Sequence, residues 1–134
     1  MKILIVDDDA IVIKSCSRIL ESEGFEIACV GSADEALEAV KKCDFDLLLI
    51  DVIMPRHNGL YLIKELKKVL PAMPVIVMSG YPTPETISEV SLSGADRFIP
   101  KPFRPDELMK TIRQVLQRKQ GGKPFPIPPA DDKS

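Results

Sequence analysis

Several residue types and motifs are scarce or absent in this chain of 134 residues, which has no tryptophan, one histidine and three cysteines. A zinc site needs several histidine or cysteine ligands, and the single His57 cannot supply them. The phosphate-cradling motifs GxGxxG and GxxxxGK[ST] are both missing. No apolar run approaches the roughly 20 residues that span a bilayer. The net charge of −2 gives no sign of a nucleic-acid-binding surface over the whole chain.

The three cysteines are odd in number and lack the close spacing of a metal site. We predict that Cys16, Cys29 and Cys43 are reduced and mostly buried, as in a cytoplasmic protein. Met1 and Lys2 lead directly into a strand-like run, so we expect no signal peptide.

Four short apolar runs end at residues with chemical function. The aspartates 7–9 follow the run 3–6, Asp51 follows 47–50, Ser79 follows 75–78, and Lys101 follows Phe98, Ile99 and Pro100. Runs of Val, Ile and Leu without alternation are typical of parallel strands covered on both faces. The carboxyl ends of such strands share one edge of the sheet, where open α/β folds bind their ligands. Acidic groups, a hydroxyl and an ammonium should therefore meet there.

Helical patterns alternate with these runs. Ile11, Ser15 and Ile19, together with Val12 and Leu20, mark an apolar stripe through residues 10–22. Ser32 begins a capping box. Residues 25–29 alternate like an edge strand. Five β/α repeats predict an α/β fold with a parallel five-stranded sheet and helices on both faces. We place the domain at residues 1–119 and a disordered, Pro/Gly-rich tail or linker at 120–134.

The acidic cluster predicts a magnesium site. Neighbouring carboxylates repel one another unless a cation compensates them, and Mg²⁺ prefers such oxygen ligands. We therefore interpret Asp7, Asp8 and Asp51 as its ligands. A strand-end aspartate beside Mg²⁺ can attack phosphorus to give an aspartyl phosphate. Lys101 and Ser79 would then hold two further oxygens of the phosphoryl group.

Each of these residues also has an ordinary structural explanation. The aspartates 7–9 would suit a solvated helix N-terminus, and Asp9 in particular would suit that role alone. Asp51 would suit a strand cap and Ser79 a turn, while Lys101 and His57 would suit the surface.

The sequence resembles the receiver domains of two-component response regulators over residues 1–118. The matching segments are Ile5-Val6-Asp7-Asp8, Leu49-Ile50-Asp51-Val52-Ile53-Met54-Pro55 with Asn58-Gly59, Val77-Met78-Ser79-Gly80, and Lys101-Pro102-Phe103. The resemblance implies a flavodoxin-like (βα)5 three-layer sandwich with strand order 2-1-3-4-5. It also implies a cis peptide bond between Lys101 and Pro102.

The resemblance implies roles for the site residues. Asp51 would accept a phosphoryl group from a histidine kinase or a histidine phosphotransfer protein. Asp8 would bind Mg²⁺ directly, Asp7 through water, and the backbone carbonyl of Ile53 would be another ligand. Ser79 and Phe98 would be the switch residues, and residues 84–118 the surface that changes.

We therefore expect a signalling phosphoacceptor with self-catalysed phosphotransfer and autodephosphorylation, not a metabolic enzyme. No DNA-binding module follows within this chain, so its output would be contact with a downstream protein or an output domain in cis. A stand-alone regulator, a phosphorelay intermediate, an excised receiver and a phosphorylation-dependent dimer all remain open. We expect neither nucleic-acid nor membrane binding.

Three competing functions remain. A phosphohydrolase of the haloacid dehalogenase type needs a second carboxylate two residues after the nucleophile, where Ile53 stands. A flavodoxin-like flavin binder needs a hydroxyl- and Gly-rich phosphate loop, where residues 7–9 would repel the phosphate. A receiver that works without phosphorylation is the third alternative.

Overall fold

The computed structural model of the protein describes residues 1–51, 59–80 and 83–121. Five strands lie within them: β1 (Lys2–Val6), β2 (Glu26–Val30), β3 (Leu47–Asp51), β4 (Val75–Ser79) and β5 (Arg97–Pro100). Five helices alternate with the strands: α1 (Ala10–Ser22), α2 (Ala33–Lys42), α3 (Gly59–Val69), α4 (Pro84–Ser93) and α5 (Pro105–Gly121). The sheet order is β2-β1-β3-β4-β5 and all four pairings are parallel, so the predicted fold is confirmed.

The strands send alternate side chains to two separate cores, as the period of two requires. Leu4 and Val6 of β1 join one core with α2, α3 and α4. Ile3 and Ile5 join the other core with α1 and α5. All four are fully buried, and each such side chain stabilises the fold by about 1.5–3 kcal/mol. Burial on both faces explains why these runs do not alternate in polarity.

The helix ends follow the signals in the sequence. Ser32 Oγ accepts a hydrogen bond of 3.2 Å from the Glu35 amide, which confirms the capping box. The Glu35 carboxylate accepts from the amide of Gly31 at 3.0 Å, one residue earlier than in the usual box. Thr83 caps α4, and Gly94 ends it with a left-handed φ of 104° that favours glycine.

The predicted apolar stripe of α1 is confirmed in part. Leu20 is fully buried, and Val12 and Ile19 pack against the core. Ile11 is 76% exposed and Ser15 is exposed, and the buried Cys16 takes the place that the prediction gave to Ser15. The first turn of α1 offers three consecutive apolar residues, 11–13, so spacing alone did not decide which of them faces the sheet.

The prediction that the cysteines are mostly buried was also wrong for two of the three. Cys16 is buried, but Cys29 and Cys43 are exposed, and all three are free thiols. Cys29 lies on the edge strand β2, and Cys43 caps the C-terminus of α2, so neither is covered on all sides.

Helix α5 continues to Gly121, two residues beyond the predicted domain boundary. Residues 122–134, together with Ile53 and His57, lie outside the described residues. None of the described helices combines the length and the apolar character that a bilayer span requires.

Candidate functional site

Four strands deliver the predicted site residues to one edge of the sheet. Asp7 directly follows β1, Asp51 and Ser79 are the last residues of β3 and β4, and Lys101 directly follows β5. The register of the parallel pairing fixes their positions along the strand direction, because Asp51 pairs with Met78 and Ser79 pairs with Pro100. The structure therefore brings together residues that the sequence separates by up to 94 positions.

The Lys101 ammonium binds two of the three clustered carboxylates. Its Nζ lies 2.9 Å from Asp7 Oδ2 and 3.3 Å from Asp51 Oδ2. Asp7 is fully buried and Asp51 is 7% exposed. Burial by itself lowers the pKa of Lys101, but the hydrogen bond that Lys101 donates to Asp7 and the negative charges of Asp51 and Asp7 outweigh burial and raise that pKa. The ammonium is therefore held in its charged form beside the carboxylates.

The backbone around Lys101 is fixed as well. Its amide donates a 2.7 Å hydrogen bond to the Ser79 carbonyl, and the Lys101–Pro102 peptide bond is cis, as expected. Ser79 itself is fully buried. The end of β4 and the start of the loop after β5 are thus joined at the site.

The carboxylates of Asp7, Asp8 and Asp51 can each offer an oxygen, and these oxygens all lie within 4.8 Å of one another. Three negative groups this close favour a hard divalent cation. Asp8 is exposed while the other two are buried, so the cluster opens towards solvent on the Asp8 side. The residues present therefore fit Mg²⁺, although Ile53 lies outside the described residues.

Asp9 does not belong to this cluster. Its side chain caps α1, accepting hydrogen bonds from the amides of Ile11 at 2.9 Å and Val12 at 3.5 Å. The backbone amide of Asp9 donates a hydrogen bond of 2.9 Å to Asp7 Oδ1 and so helps to orient that carboxylate. For Asp9, the interpretation as a helix N-terminus is the correct one.

Phe98 is partly buried and packs against the core formed with α2, α3 and α4. It pairs with Val77, whose side chain belongs to the same core. Ser79 lies two residues beyond Val77, so it faces the same side of the sheet as Phe98. The two predicted switch residues therefore lie on one face.

The sequence did not single out the first turns of α1 as part of the site. A cleft of about 410 Å³ beside Lys101 is lined by Ile11, Val12, Ser15, Gly80, Pro102 and Phe103. A Cβ placed on Gly80 would meet nothing within 4 Å, so this side of the site is open. The sequence did contain a signal for this part of the site: Asp9, which caps α1, directly follows Asp7 and Asp8, so the first turn of α1 must begin beside them.

Cys16 is a second neighbour that the sequence did not connect with the site. Burial, followed by the negative charge of Asp7, raises the pKa of its thiol to about 11. Cys16 is thus a neutral core residue at ordinary pH, and it is no candidate for thiolate chemistry.

Comparisons with known proteins agree with this geometry. Residues 3–113 match the family described as "Response regulator receiver domain". The chain is 37% identical over 114 residues to the transcriptional regulatory protein ZraR of Escherichia coli, covering 85% of this chain and 26% of ZraR. It is 36% identical over 121 residues to the response regulator MprA of Mycobacterium leprae, covering 88% of this chain and 52% of MprA.

A crystal structure of a CheY-like receiver domain protein from Methanospirillum hungatei superimposes with a TM-score of 0.87. The sequence identity is 34%, and the match covers 91% of this chain and 98% of that one. The chain thus spans nearly all of this receiver structure, about half of MprA and about a quarter of ZraR.

Proposed function

This chain belongs to the response regulator receiver domain family, and we propose that Asp51 is the aspartate on which it accepts a phosphoryl group. Receiver domains are phosphorylated on an aspartate in two-component signalling, and autophosphorylation and autodephosphorylation are general properties of the family.

The observation that carries the proposal is the convergence of Lys101 on Asp7 and Asp51. Both oxygens of Asp7 are engaged, Oδ1 by the Asp9 amide and Oδ2 by Lys101, and none of its surface is exposed. Asp51 keeps an exposed fraction and ends the central strand β3. Asp51 is therefore the carboxylate beside Lys101 that an incoming phosphoryl group can reach.

In the proposed transfer, a carboxylate oxygen of Asp51 forms a bond to phosphorus while the bond between phosphorus and the donor histidine nitrogen breaks. The electron pair of that bond stays on the imidazole, which takes up a proton as it leaves. Lys101 neutralises charge on one phosphoryl oxygen, and the Ser79 hydroxyl donates a hydrogen bond to another.

The family normally binds Mg²⁺ at an acidic pocket, and the cluster of Asp7, Asp8 and Asp51 fits that role. We propose these three side chains as its ligands, with the backbone carbonyl of Ile53 as a further one. When bound, Mg²⁺ supplies positive charge beside the transferring phosphoryl group.

Receiver domains interact with histidine kinases and output domains. For this chain we propose a histidine kinase or histidine phosphotransfer protein as the donor, with Ser79 and Phe98 as the switch. The surface formed by residues 84–118 would carry the signal to a downstream protein or an output domain. The chain would act in the cytoplasm, where the exposed thiols of Cys29 and Cys43 stay reduced, and it would not turn over a metabolite.

Intact-mass analysis after incubation with acetyl phosphate, with and without Mg²⁺, tests the proposal. The wild type should gain one Mg²⁺-dependent phosphoryl group, and Asp51→Asn should gain none. The matched control is Asp44→Asn, which changes an exposed aspartate near the opposite end of β3 and should behave as the wild type. An undiminished adduct in Asp51→Asn would overturn the assignment.

A further inference from the structure

Helix α4 is attached to the domain unevenly along its length. Its two buried residues, Val90 and Ser93, both lie in its second half. In its first half, Ile87 is 42% exposed and Ser88 is also exposed. Helices in proteins are stabilised mainly by the packing of an apolar face, so the first half of α4 has little packing to hold it in place.

The N-terminal end of α4 lies at the edge of the sheet that carries the phosphorylation site, because the helix follows β4 and β4 ends at Ser79. Thr83 caps this end, and its Oγ1 accepts a hydrogen bond of 3.1 Å from the Thr86 amide. Its carbonyl accepts a hydrogen bond of 3.0 Å from the Ile87 amide. Both bonds lie within the first turn of the helix.

At the opposite edge of the sheet, Lys67 of α3 makes a set of partly buried polar contacts. Its Nζ donates a hydrogen bond of 2.7 Å to the Met73 carbonyl and lies 3.7 Å from Asp96 Oδ2. The two side chains of this ion pair are only 20% and 10% exposed, so solvent screens it less than a surface pair. Asp96 Oδ2 also accepts from the Val75 amide at 2.8 Å. Lys67 therefore joins the end of α3 to the start of β4 and to the residue before β5.

The stem of Lys67 also packs against the end of α4. A Cβ placed on Gly94, the C-cap of α4, would lie 3.4 Å from Lys67 Cγ and 3.6 Å from its Cε. Gly94 stands two residues before Asp96 in the sequence. The C-terminal end of α4 is thus held by packing at its cap and by the ion pair that follows the cap.

We propose that Lys67, Met73, Gly94 and Asp96, which we call the lysine clamp, anchor the C-terminal end of α4 so that this helix opens locally from its N-terminal end. Local openings of a folded protein begin where few buried contacts have to be broken. The half that opens is the one that follows Ser79, so a rearrangement at the phosphorylation site would meet the looser half of the helix.

Amide hydrogen exchange of the full chain, followed by NMR, tests the direction of opening. We compare the first-half amides, Ile87 and Ser88, with the second-half amides, Val90 and Ser93. The protection factors of the first-half amides should be lower by about tenfold or more. Equal protection of the two sets would mean that α4 opens as one unit, and this would overturn the proposal.

The substitution Lys67→Met tests the lysine clamp itself, because methionine keeps most of the stem and removes the ammonium. Exchange of the second-half amides should become about tenfold faster or more, since Asp96 would stay largely buried without that cation. Exchange of the first-half amides should change by less than about twofold, because they open without breaking the clamp. The matched control is Lys64→Met, which changes an exposed lysine of α3 and should leave both sets as in the wild type. Equal acceleration of both sets in Lys67→Met, or none in the second half, would contradict the proposal.

The reciprocal variant is Thr83→Ala, which removes the N-cap of α4 and leaves the lysine clamp intact. Exchange of the first-half amides should become about fivefold faster, while that of the second-half amides should change by less than about twofold. Equal acceleration of both sets would again show a helix that opens as a whole. None of these measurements depends on Asp51, so this inference can fail while the proposed phosphorylation stands, or the reverse.

Discussion

The Lys101 side chain donates a hydrogen bond to the Asp7 carboxylate, with 2.9 Å between Nζ and Oδ2, although 94 positions separate the two residues in the sequence. The two residues follow β5 and β1, which are not neighbours in the sheet. The same ammonium lies 3.3 Å from Asp51, which ends β3 between them. This cation therefore offsets the charge of two nearly buried carboxylates and ties three strand ends together.

Replacing Lys101 by methionine should destabilise the fold when Mg²⁺ is absent. The substitution keeps most of the stem but leaves Asp7 and Asp51 without their cation. We expect the free energy of unfolding to fall by about 2–4 kcal/mol, because removing one partner of a buried ion pair leaves the other charge buried without a counter-ion. Urea unfolding in EDTA measures this loss.

Added Mg²⁺ should restore part of that loss in Lys101→Met, since a divalent cation can offset the same carboxylates. The control Lys110→Met removes an exposed lysine of α5 and should change the stability by less than about 0.5 kcal/mol. Equal stabilities for the two variants in EDTA would contradict the role of Lys101.

Asp8 and Asp9 are adjacent but should respond differently to substitution. With Mg²⁺ at tenfold its dissociation constant, linkage should stabilise the wild type by about 1.4 kcal/mol. Asp8→Asn should lose most of this gain, because Asp8 is proposed as a metal ligand. Asp9→Ala should lose about 1 kcal/mol through its lost N-cap, with and without Mg²⁺. Thermal unfolding with and without Mg²⁺ separates the two, and the same Mg²⁺ gain in both variants would count against the metal site.

Ser79→Ala should slow phosphorylation without abolishing it. The proposed hydrogen bond from the Ser79 hydroxyl to a charged phosphoryl oxygen is worth about 1.5–3 kcal/mol, or roughly a tenfold or greater effect on rate. Time courses of adduct formation with acetyl phosphate measure it. Ser93→Ala is the control, because Ser93 is a buried serine that bonds the Val90 carbonyl in α4, away from the site. A rate unchanged in Ser79→Ala would rule out the proposed hydrogen bond.

The free energy of unfolding should decline between about pH 9 and 11 because of Cys16. Its pKa is 9.0 in an unfolded chain and about 11 in the fold, where burial comes first among the causes. The unfolded state therefore loses this proton at a lower pH than the folded state. The contribution of Cys16 is complete below pH 9 and is lost as the pH rises through about 11.

The size of that loss should reach about 2–3 kcal/mol. Urea unfolding across this pH range should show a shallower decline in Cys16→Ala than in the wild type. Cys43→Ala, which changes an exposed cysteine, should keep the wild-type decline. Identical slopes in all three proteins would refute the effect.

Local signals in the sequence were sufficient for the strands and for the prediction that Asp7, Asp51, Ser79 and Lys101 lie at one edge of the sheet. The apolar runs predicted the strands because parallel strands are buried on both faces. Ser32 marked the start of α2 because capping depends on a few neighbouring residues. The acids, the hydroxyl and the lysine at the strand ends were recognisable for the same reason, since each follows its run directly.

The tertiary structure decided what depends on residues distant in sequence. The exposure of Ile11 and Cys29 follows from which neighbour covers α1 and β2, and local spacing does not contain that information. The different fates of Asp7, Asp8 and Asp9 do not follow from three identical residues in a row. They depend on where the Lys101 ammonium and the first turn of α1 lie, because hydrogen bonds and charges act over a few ångströms of space, whatever the separation along the chain.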